Sequence, residues 1–320
     1  MRILVLTSGG DAPGMNACVR AVVRSALSRN WEVFGARYGY IGLVTGEVAA
    51  LDHNSVSNTI QRGGTVLGAG RCPELQTPQG LQKAVETLRS LGIEGLVAIG
   101  GDGTFRGLRD ICEHWEGLGI GIPGTVDNDA TGSDFTIGFD TAVNTALDAI
   151  DKIRDTAESF ERCFIVEVMG RRSGAIALAA ALAGGAEEVC VPENATDYLG
   201  IAERLRAGKQ AGRFSSIIVT AEGDEIGGAA ELAKKLTELS GLEFRTCILG
   251  HVQRGGSPTA RDRILASRLG AFAVELLERG EGGVIVGEKA CQLATTPLSE
   301  VGTALPACIC DFDLVRLLSR

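Results

Sequence analysis

Seven short apolar runs recur along the chain, at residues 3–6, 95–99, 119–122, 163–168, 216–219, 246–249 and 283–286. They are rich in β-branched residues and lack polar alternation, which suits strands buried on both faces of a parallel sheet. Between them lie amphipathic stretches at 15–28, 81–90, 141–157 and 231–239, with apolar positions at helical spacing. Strand and helix patterns in alternation predict an α/β layered fold with right-handed crossovers. No repeat of fixed period and no linker rich in Pro, Ser or charge divides the chain. Two domains, if formed, would therefore share a broad contact and exchange segments. In such sheets ligands gather beyond the carboxyl ends of the strands, and nearly every unusual polar cluster of this sequence follows an apolar run.

Composition narrows the picture. A chain of 320 residues accommodates two domains and a sizeable core. With 45% hydrophobic and 22% charged residues it is not a disordered chain. A net charge of −9 argues against a broad nucleic-acid or anionic-membrane surface, while leaving room for a local basic pocket. The nine cysteines form no CxxC pair, so they read as reduced, small hydrophobes. The N-terminal apolar run is too short for a secretory signal. The longest apolar stretch, 174–186, falls short of the ~20 residues a membrane helix needs. The expectation is a soluble protein of the cytoplasm.

Four segments carry chemistry. The first, Thr7-Ser8-Gly9-Gly10-Asp11-Ala12-Pro13-Gly14, leads from a strand into a helix. Its glycines let backbone N–H groups approach a phosphate at the helix's positive end, although a plain tight turn reads equally well. It matches neither GxGxxG nor GxxxxGK[ST], so no dinucleotide or P-loop site follows. The second, Gly100-Gly101-Asp102-Gly103-Thr104, sets a carboxylate among glycines, as a magnesium–triphosphate complex requires; a helix cap at Asp102 is the other reading. The third is Pro123-Gly124-Thr125-Val126-Asp127-Asn128-Asp129. If extended, it projects Thr125, Asp127 and Asp129 to one side, a set suited to phosphoryl transfer; solvated aspartates in an Asx-turn are the alternative. The fourth is basic: Arg162, Arg171 and Arg172, Arg245, and His251 to Arg254 lie near strand ends and suit an anionic ligand. Glu222, after another strand, could accept hydrogen bonds from sugar hydroxyls.

Together these segments closely resemble the bacterial 6-phosphofructokinase family, in its ATP-dependent branch. The likeness runs in order through LTSGGDAPGMNA, RGGTVLGAGR, IGGDGT, PGTVDND, TIGFDTA, VEVMGRRSG, AGGAE, LGHVQRGGSP and DRILASRLGA, and fades over the last 30 residues. It implies two Rossmann-like three-layer domains with mostly parallel sheets and the active site in the cleft between them. The ATP-binding domain would comprise residues 1–138 and about 251–301, and the sugar-phosphate domain 139–250 with the C-terminal tail. It further implies that the γ-phosphoryl group of ATP passes to the 1-hydroxyl of fructose 6-phosphate, with Mg²⁺ as cofactor. Asp127 would be the base, with Thr125, Arg171 and Gly10 completing the catalytic set. Gly10, Arg71, Cys72, Gly101, Asp102, Gly103 and Thr104 would bind the nucleotide, and Asp102 with Asp129 the metal. Met169, Gly170, Arg171, Glu222, His251 and Arg254 would hold the sugar together with Thr125 and Asp127. Arg162 and Arg245 would reach the 6-phosphate from a neighbouring subunit of a homotetramer.

Some positions refine the resemblance. Pyrophosphate-using relatives typically carry Asp after the GGD and Lys before the Thr of the third segment. Gly103 and Gly124 stand there instead and favour ATP. The pattern of an effector site for ADP or phosphoenolpyruvate is matched by Arg20, Arg24, Arg154, Gly185, Glu187 and Arg213. His53, Asn58 and Ala211 depart from it, so a weakened or altered response is expected. Cys72 and Gln76 depart from the usual adenine pocket, and Arg172 is an extra charge without a derived role.

Overall fold

Strand β1 (Arg2–Thr7) is buried from its second residue onward and opens a sheet whose remaining strands come from both ends of the chain. In the computed structural model, which describes residues 1–302 and 310–319, the other strands are β2 (Glu32–Ala36), β3 (Val48–Leu51), β4 (Gly95–Gly100), β5 (Leu118–Pro123), β6 (Cys163–Val168), β7 (Glu188–Cys190), β8 (Ser216–Ala221), β9 (Phe244–Ile248), β10 (Val284–Lys289) and β11 (Gln292–Pro297). The helices are α1 (Met15–Leu27), α2 (Tyr40–Thr45), α3 (Pro78–Ser90), α4 (Asp102–Cys112), α5 (Phe139–Phe160), α6 (Ala175–Ala183), α7 (Tyr198–Gln210), α8 (Ala229–Ser240), α9 (Ala260–Glu278) and α10 (Cys310–Leu318). Two compact units result. One holds Met1–Thr141 and the chain returning from Arg254; the other holds Ala142–Gln253 and α10.

The first unit contains a seven-stranded sheet in the order β11-β10-β5-β4-β1-β2-β3. Its five inner strands are parallel, and β3 and β11 close the two ends antiparallel. The runs at 3–6, 95–99 and 119–122 form β1, β4 and β5, which are almost wholly buried. Helix α1 buries Met15, Cys18, Val19, Val22, Val23 and Ala26, one face at helical spacing. A core around Leu4, Leu6, Leu96, Phe105, Leu108 and Ile285 holds the layers together.

The second unit has a parallel sheet in the order β7-β8-β6-β9. Its core includes Ile165, Ile201, Ile218, Leu232 and Leu236. The run at 246–249 departs from the expectation of strands buried on both faces. Strand β9 starts earlier, at Phe244, pairs with β6 alone and leaves Ile248 59% exposed. Edge position alone is not the cause, because β7 at the other edge of this sheet is buried throughout.

Cys18, Cys72, Cys112, Cys163, Cys190, Cys247 and Cys291 are free. Burial pushes the thiols of Cys18 and Cys190 far up and that of Cys112 to about 11, so these behave as small apolar groups. Cys308 and the side chain of Cys310 lie outside the described residues. Among the described residues no helix is long and apolar enough to cross a membrane.

Candidate active site

Strands β4 and β5 run in parallel register, with Gly100 opposite Pro123, and both end at the same edge of the first sheet. Gly124 N–H donates to Gly100 O at 2.9 Å and carries the pairing one step beyond the strands. The two loops that follow therefore leave side by side. A Cβ built on Gly101 would lie 3.9 Å from the Cβ of Thr125. Asp102, Thr125 and Asp127 are thus gathered at one edge of one sheet.

The first of these loops opens α4. Gly101, extended, caps the helix, and its carbonyl accepts the N–H of Thr104 and Phe105. Asp102 does not cap its own helix. Its carboxylate accepts from Thr131, through the backbone N–H at 2.8 Å and the hydroxyl at 3.2 Å. A carboxylate in the first turn is also favoured by the helix dipole. Tyr40 supports the turn from below by donating to Thr104 O at 2.6 Å, and burial keeps its phenol protonated. Gly103 faces open space.

The second loop is not the extended segment that period-two alternation assumed. Asn128 adopts φ 51°, in the left-handed region, so the regular alternation is broken there. Val126 is buried alongside Asp127, and Asp129 is exposed. Thr125 and Asp127 meet through a turn instead: Asp127 N–H donates to Thr125 Oγ1 at 3.2 Å. Asn128 fixes the loop with its own amide, which donates to Asp134 O at 3.1 Å and accepts Thr136 N–H at 2.8 Å. Asp127 is held 3% exposed.

The loop between β1 and α1 joins the same edge. Ser8 N–H donates to Ile99 O, while Gly9 N–H and Ser8 Oγ donate to Gly70 O, so the segment before exposed Arg71 and half-buried Cys72 is tied to it. Arg254 Nη1 donates to Asp11 O at 2.9 Å. Its guanidinium lies where Gly10 would carry a side chain.

In the second unit Met169, Gly170, Arg171 and Glu222 come together beyond the ends of β6 and β8. Glu222 N–H donates to Val168 O, and the Glu222 carboxylate accepts Arg171 N–H at 3.0 Å. Gly223 allows this closeness, because any Cβ there would fall on Arg171 O. Met169 N–H donates to the buried amide of Gln253, which in turn donates to Ala142 O at 3.2 Å. His251 is exposed on the turn just before. Arg162 and Arg245 are not part of this group. Arg162 precedes β6 and stacks on Phe160, and Arg245 pairs with Phe164 near the start of β9. Six strand residues separate Arg162 from Met169, roughly 20 Å at the usual rise.

The residues matched to an effector pattern fall in both units. Arg20 and Arg24 lie one turn apart on α1, and His53 follows β3. In the second unit Arg154 donates to Gly184 O and Gly185 O at 2.6 and 2.8 Å and stands 3.9 Å from Glu187. Burial raises the Glu187 carboxyl above its ordinary range, against the pull of Ile217 N–H and Arg154. Arg213 donates to Ser319 O at 2.7 Å.

A family model described as Phosphofructokinase matches residues 2–277. The chain belongs to the phosphofructokinase family. It is 57% identical over 299 residues to "ATP-dependent 6-phosphofructokinase 1" of Thermus thermophilus, covering 93% of each chain. It is 54% identical over 300 residues to "ATP-dependent 6-phosphofructokinase" of Bacillus subtilis, covering 94% of this chain and 93% of that one. Among solved structures, phosphofructokinase from Saccharomyces cerevisiae superposes with a TM-score of 0.87 at 32% identity. That match covers 98% of this chain but 46% of the yeast chain, so this chain spans about half the yeast length.

Family membership leaves some structural residues that sequence reasoning missed. Thr131 grips Asp102, and Asp262 accepts Gly138 N–H and Thr141 N–H at the start of α5. A signal for Asp262 existed: Thr259-Ala260-Arg261-Asp262 has capping-box spacing, and Thr259 does cap α9. The Asp262 carboxylate reaches across to α5 instead, and burial raises its pKa despite these bonds. Nothing in the sequence marked Thr131.

Proposed function

We propose that this chain is an ATP-dependent 6-phosphofructokinase, transferring the γ-phosphoryl group of ATP to the 1-hydroxyl of fructose 6-phosphate to give fructose 1,6-bisphosphate and ADP. The observation that carries the reading is the shared edge of β4 and β5, where Asp102 stands beside Thr125 and Asp127. The identity to enzymes of that name across most of the chain supports it.

Asp127 accepts the proton of the attacking hydroxyl, and its burial keeps bulk water from competing for it. The Thr125 hydroxyl already accepts Asp127 N–H, which leaves its own proton to donate to the transferred group. Gly10, Arg71, Cys72, Gly101, Gly103 and Thr104 line the nucleotide, and open space at Gly103 leaves room for more than a pyrophosphate. The donor set fits Mg²⁺. Asp102 offers a carboxylate whose two oxygens are held in place by Thr131, and one or two carboxylates plus phosphate oxygens are what this cation takes. Asp102, helped by Asp129, would hold it. When bound it neutralises charge on the phosphate oxygens.

Met169, Gly170, Arg171, Glu222, His251 and Arg254 are the residues assigned to the sugar phosphate. Glu222 has a second task, fixing the backbone of Arg171. Arg162 and Arg245 serve a neighbouring subunit's 6-phosphate site in a homotetramer. Arg154, Gly185, Glu187 and Arg213 belong, with Arg20, Arg24 and His53 of a neighbouring subunit, to an altered site for ADP or phosphoenolpyruvate between subunits. The enzyme works in the cytoplasm, in glycolysis. A coupled assay with fructose 6-phosphate tests the reading. Product forms with ATP and Mg²⁺ and not with pyrophosphate or without the cation; turnover with pyrophosphate alone would overturn the donor assignment.

A further inference from the structure

We infer that Thr131 is a positioning residue that holds the Asp102 carboxylate in its cation-binding orientation, and that the chain turn at Gly302 sets the direction of the Thr131 hydroxyl. The inference rests on the reading of Asp102 as the cation-holding carboxylate. Thr131 is buried and touches both oxygens of Asp102, its N–H bonding Oδ1 and its hydroxyl Oδ2. Two such bonds from one residue fix the plane of the carboxylate. Each oxygen keeps a further lone pair for a cation or a phosphate-bound water.

The hydroxyl has no choice of direction. Gly302 N–H donates to Thr131 Oγ1 at 3.0 Å, so the oxygen is occupied as an acceptor and its proton goes to Asp102. The carboxylate cannot donate in return. The result is a one-way relay, Gly302 to Thr131 to Asp102. It is anchored at both ends. Leu298, just before Gly302, is buried in the core of the first unit. Ser133 and Asp134, just after Thr131, are stitched to β10 through Glu288, whose buried carboxylate pairs with Arg261 and Arg268. A hydroxyl set this firmly orients the ligand it touches, the usual role of outer-shell partners at metal sites.

The test measures Mn²⁺ binding in the presence of ADP, by electron paramagnetic resonance, on the full-length chain. Thr131→Val deletes the hydroxyl at constant shape, and Thr131→Ala makes the same deletion should the valine chain fail to fold. Either weakens Mn²⁺ on the order of 10-fold, while metal-free ADP binds as before. Thr131→Ser restores the wild-type affinity. In turnover assays the Mg²⁺ concentration for half-maximal rate rises in step, with KM for fructose 6-phosphate unchanged. Unaltered Mn²⁺ affinity in the hydroxyl deletions, or equal losses of Mn²⁺ and metal-free ADP, would overturn the positioning role. Asp102→Asn separates the two layers. If it leaves Mn²⁺ binding intact, the assignment of Asp102 fails; if it abolishes binding while Thr131→Val does not change it, the relay alone fails.

Discussion

The guanidinium of Arg254 fills the space that a side chain at Gly10 would need: a Cβ there would stand 2.5 Å from Nη1 and 2.9 Å from Cζ. Because the obstacle is the far end of a flexible side chain, the fold tolerates Gly10→Ala by swinging the arginine away. Resistance to urea stays close to wild type. The ratio kcat/KM for fructose 6-phosphate drops ~10-fold or more, about 1.4 kcal/mol of transition-state binding. An alanine variant with full kcat/KM would place Arg254 outside the reacting site.

Asp127→Ser removes the proton acceptor while leaving a small polar group. Turnover falls at least ~100-fold, the scale of general-base loss. KM for fructose 6-phosphate changes little, since the arginines assigned to the sugar phosphate are untouched. Steady-state kinetics separate the two, and a turnover near wild type removes Asp127 from the chemistry.

Gly103 has no neighbour within 4 Å of a built Cβ, so Gly103→Asp is accommodated in the protein itself. Its carboxylate enters the nucleotide path beside Asp102 and repels the phosphates. KM for ATP rises by at least ~10-fold, and the melting temperature remains as in the parent. A melting curve and an ATP titration together decide it; unchanged KM for ATP means the nucleotide runs elsewhere.

Glu187 sets a pH dependence. Its ordinary value is 4.5 and burial raises it in the folded chain. Below the ordinary value both states are protonated and the shift contributes nothing. As pH climbs through the window from there to the raised value, the unfolded chain gives up its proton first, so stability falls. Glu187→Gln lacks this slope. Urea unfolding of both proteins between pH 4 and 7 shows the wild type losing ground to the variant as pH rises, and parallel profiles would contradict the burial cost.

Arg162 lies roughly 20 Å along the strand from Met169, too far to serve the same phosphate within one chain. If neighbouring subunits complete each other's sites, inactive Asp127→Ser and inactive Arg162→Ala chains repair one another. In a mixed pair one site receives both defects and the other receives none. Randomly assembled hybrids regain about a quarter of wild-type turnover. Mixing without recovery excludes a shared site.

The sheet strands were legible because parallel β1, β4 and β5 need unbroken apolar runs, and the glycine-rich turns after them located Gly10, Asp102 and Asp127. Strand β11 was not: its sequence, Gln-Leu-Ala-Thr-Thr-Pro, mixes polar and apolar residues and lacks the unbroken apolar run of the inner strands. Period-two reasoning misjudged the loop carrying Asp127, because one left-handed residue, Asn128, redirects it and a hydroxyl–amide turn replaces alternation. Thr131 escaped notice for a different reason. A buried threonine that grips a carboxylate through two donors looks in sequence like any threonine in a loop, and only the fold brings Asp102 to it.

Strand β10 pairs with β5 through Val284 and Ile120, partners about 160 residues apart in the chain. A ribosome releasing roughly 5–20 residues each second leaves the edge of β5 without its neighbour for some 8–30 s. During that interval the nascent chain carries an open, glycine-rich and apolar border while the intervening unit emerges. Protection by a chaperone at this stage, rather than resistance of the finished molecule, would then govern how much protein a cell recovers.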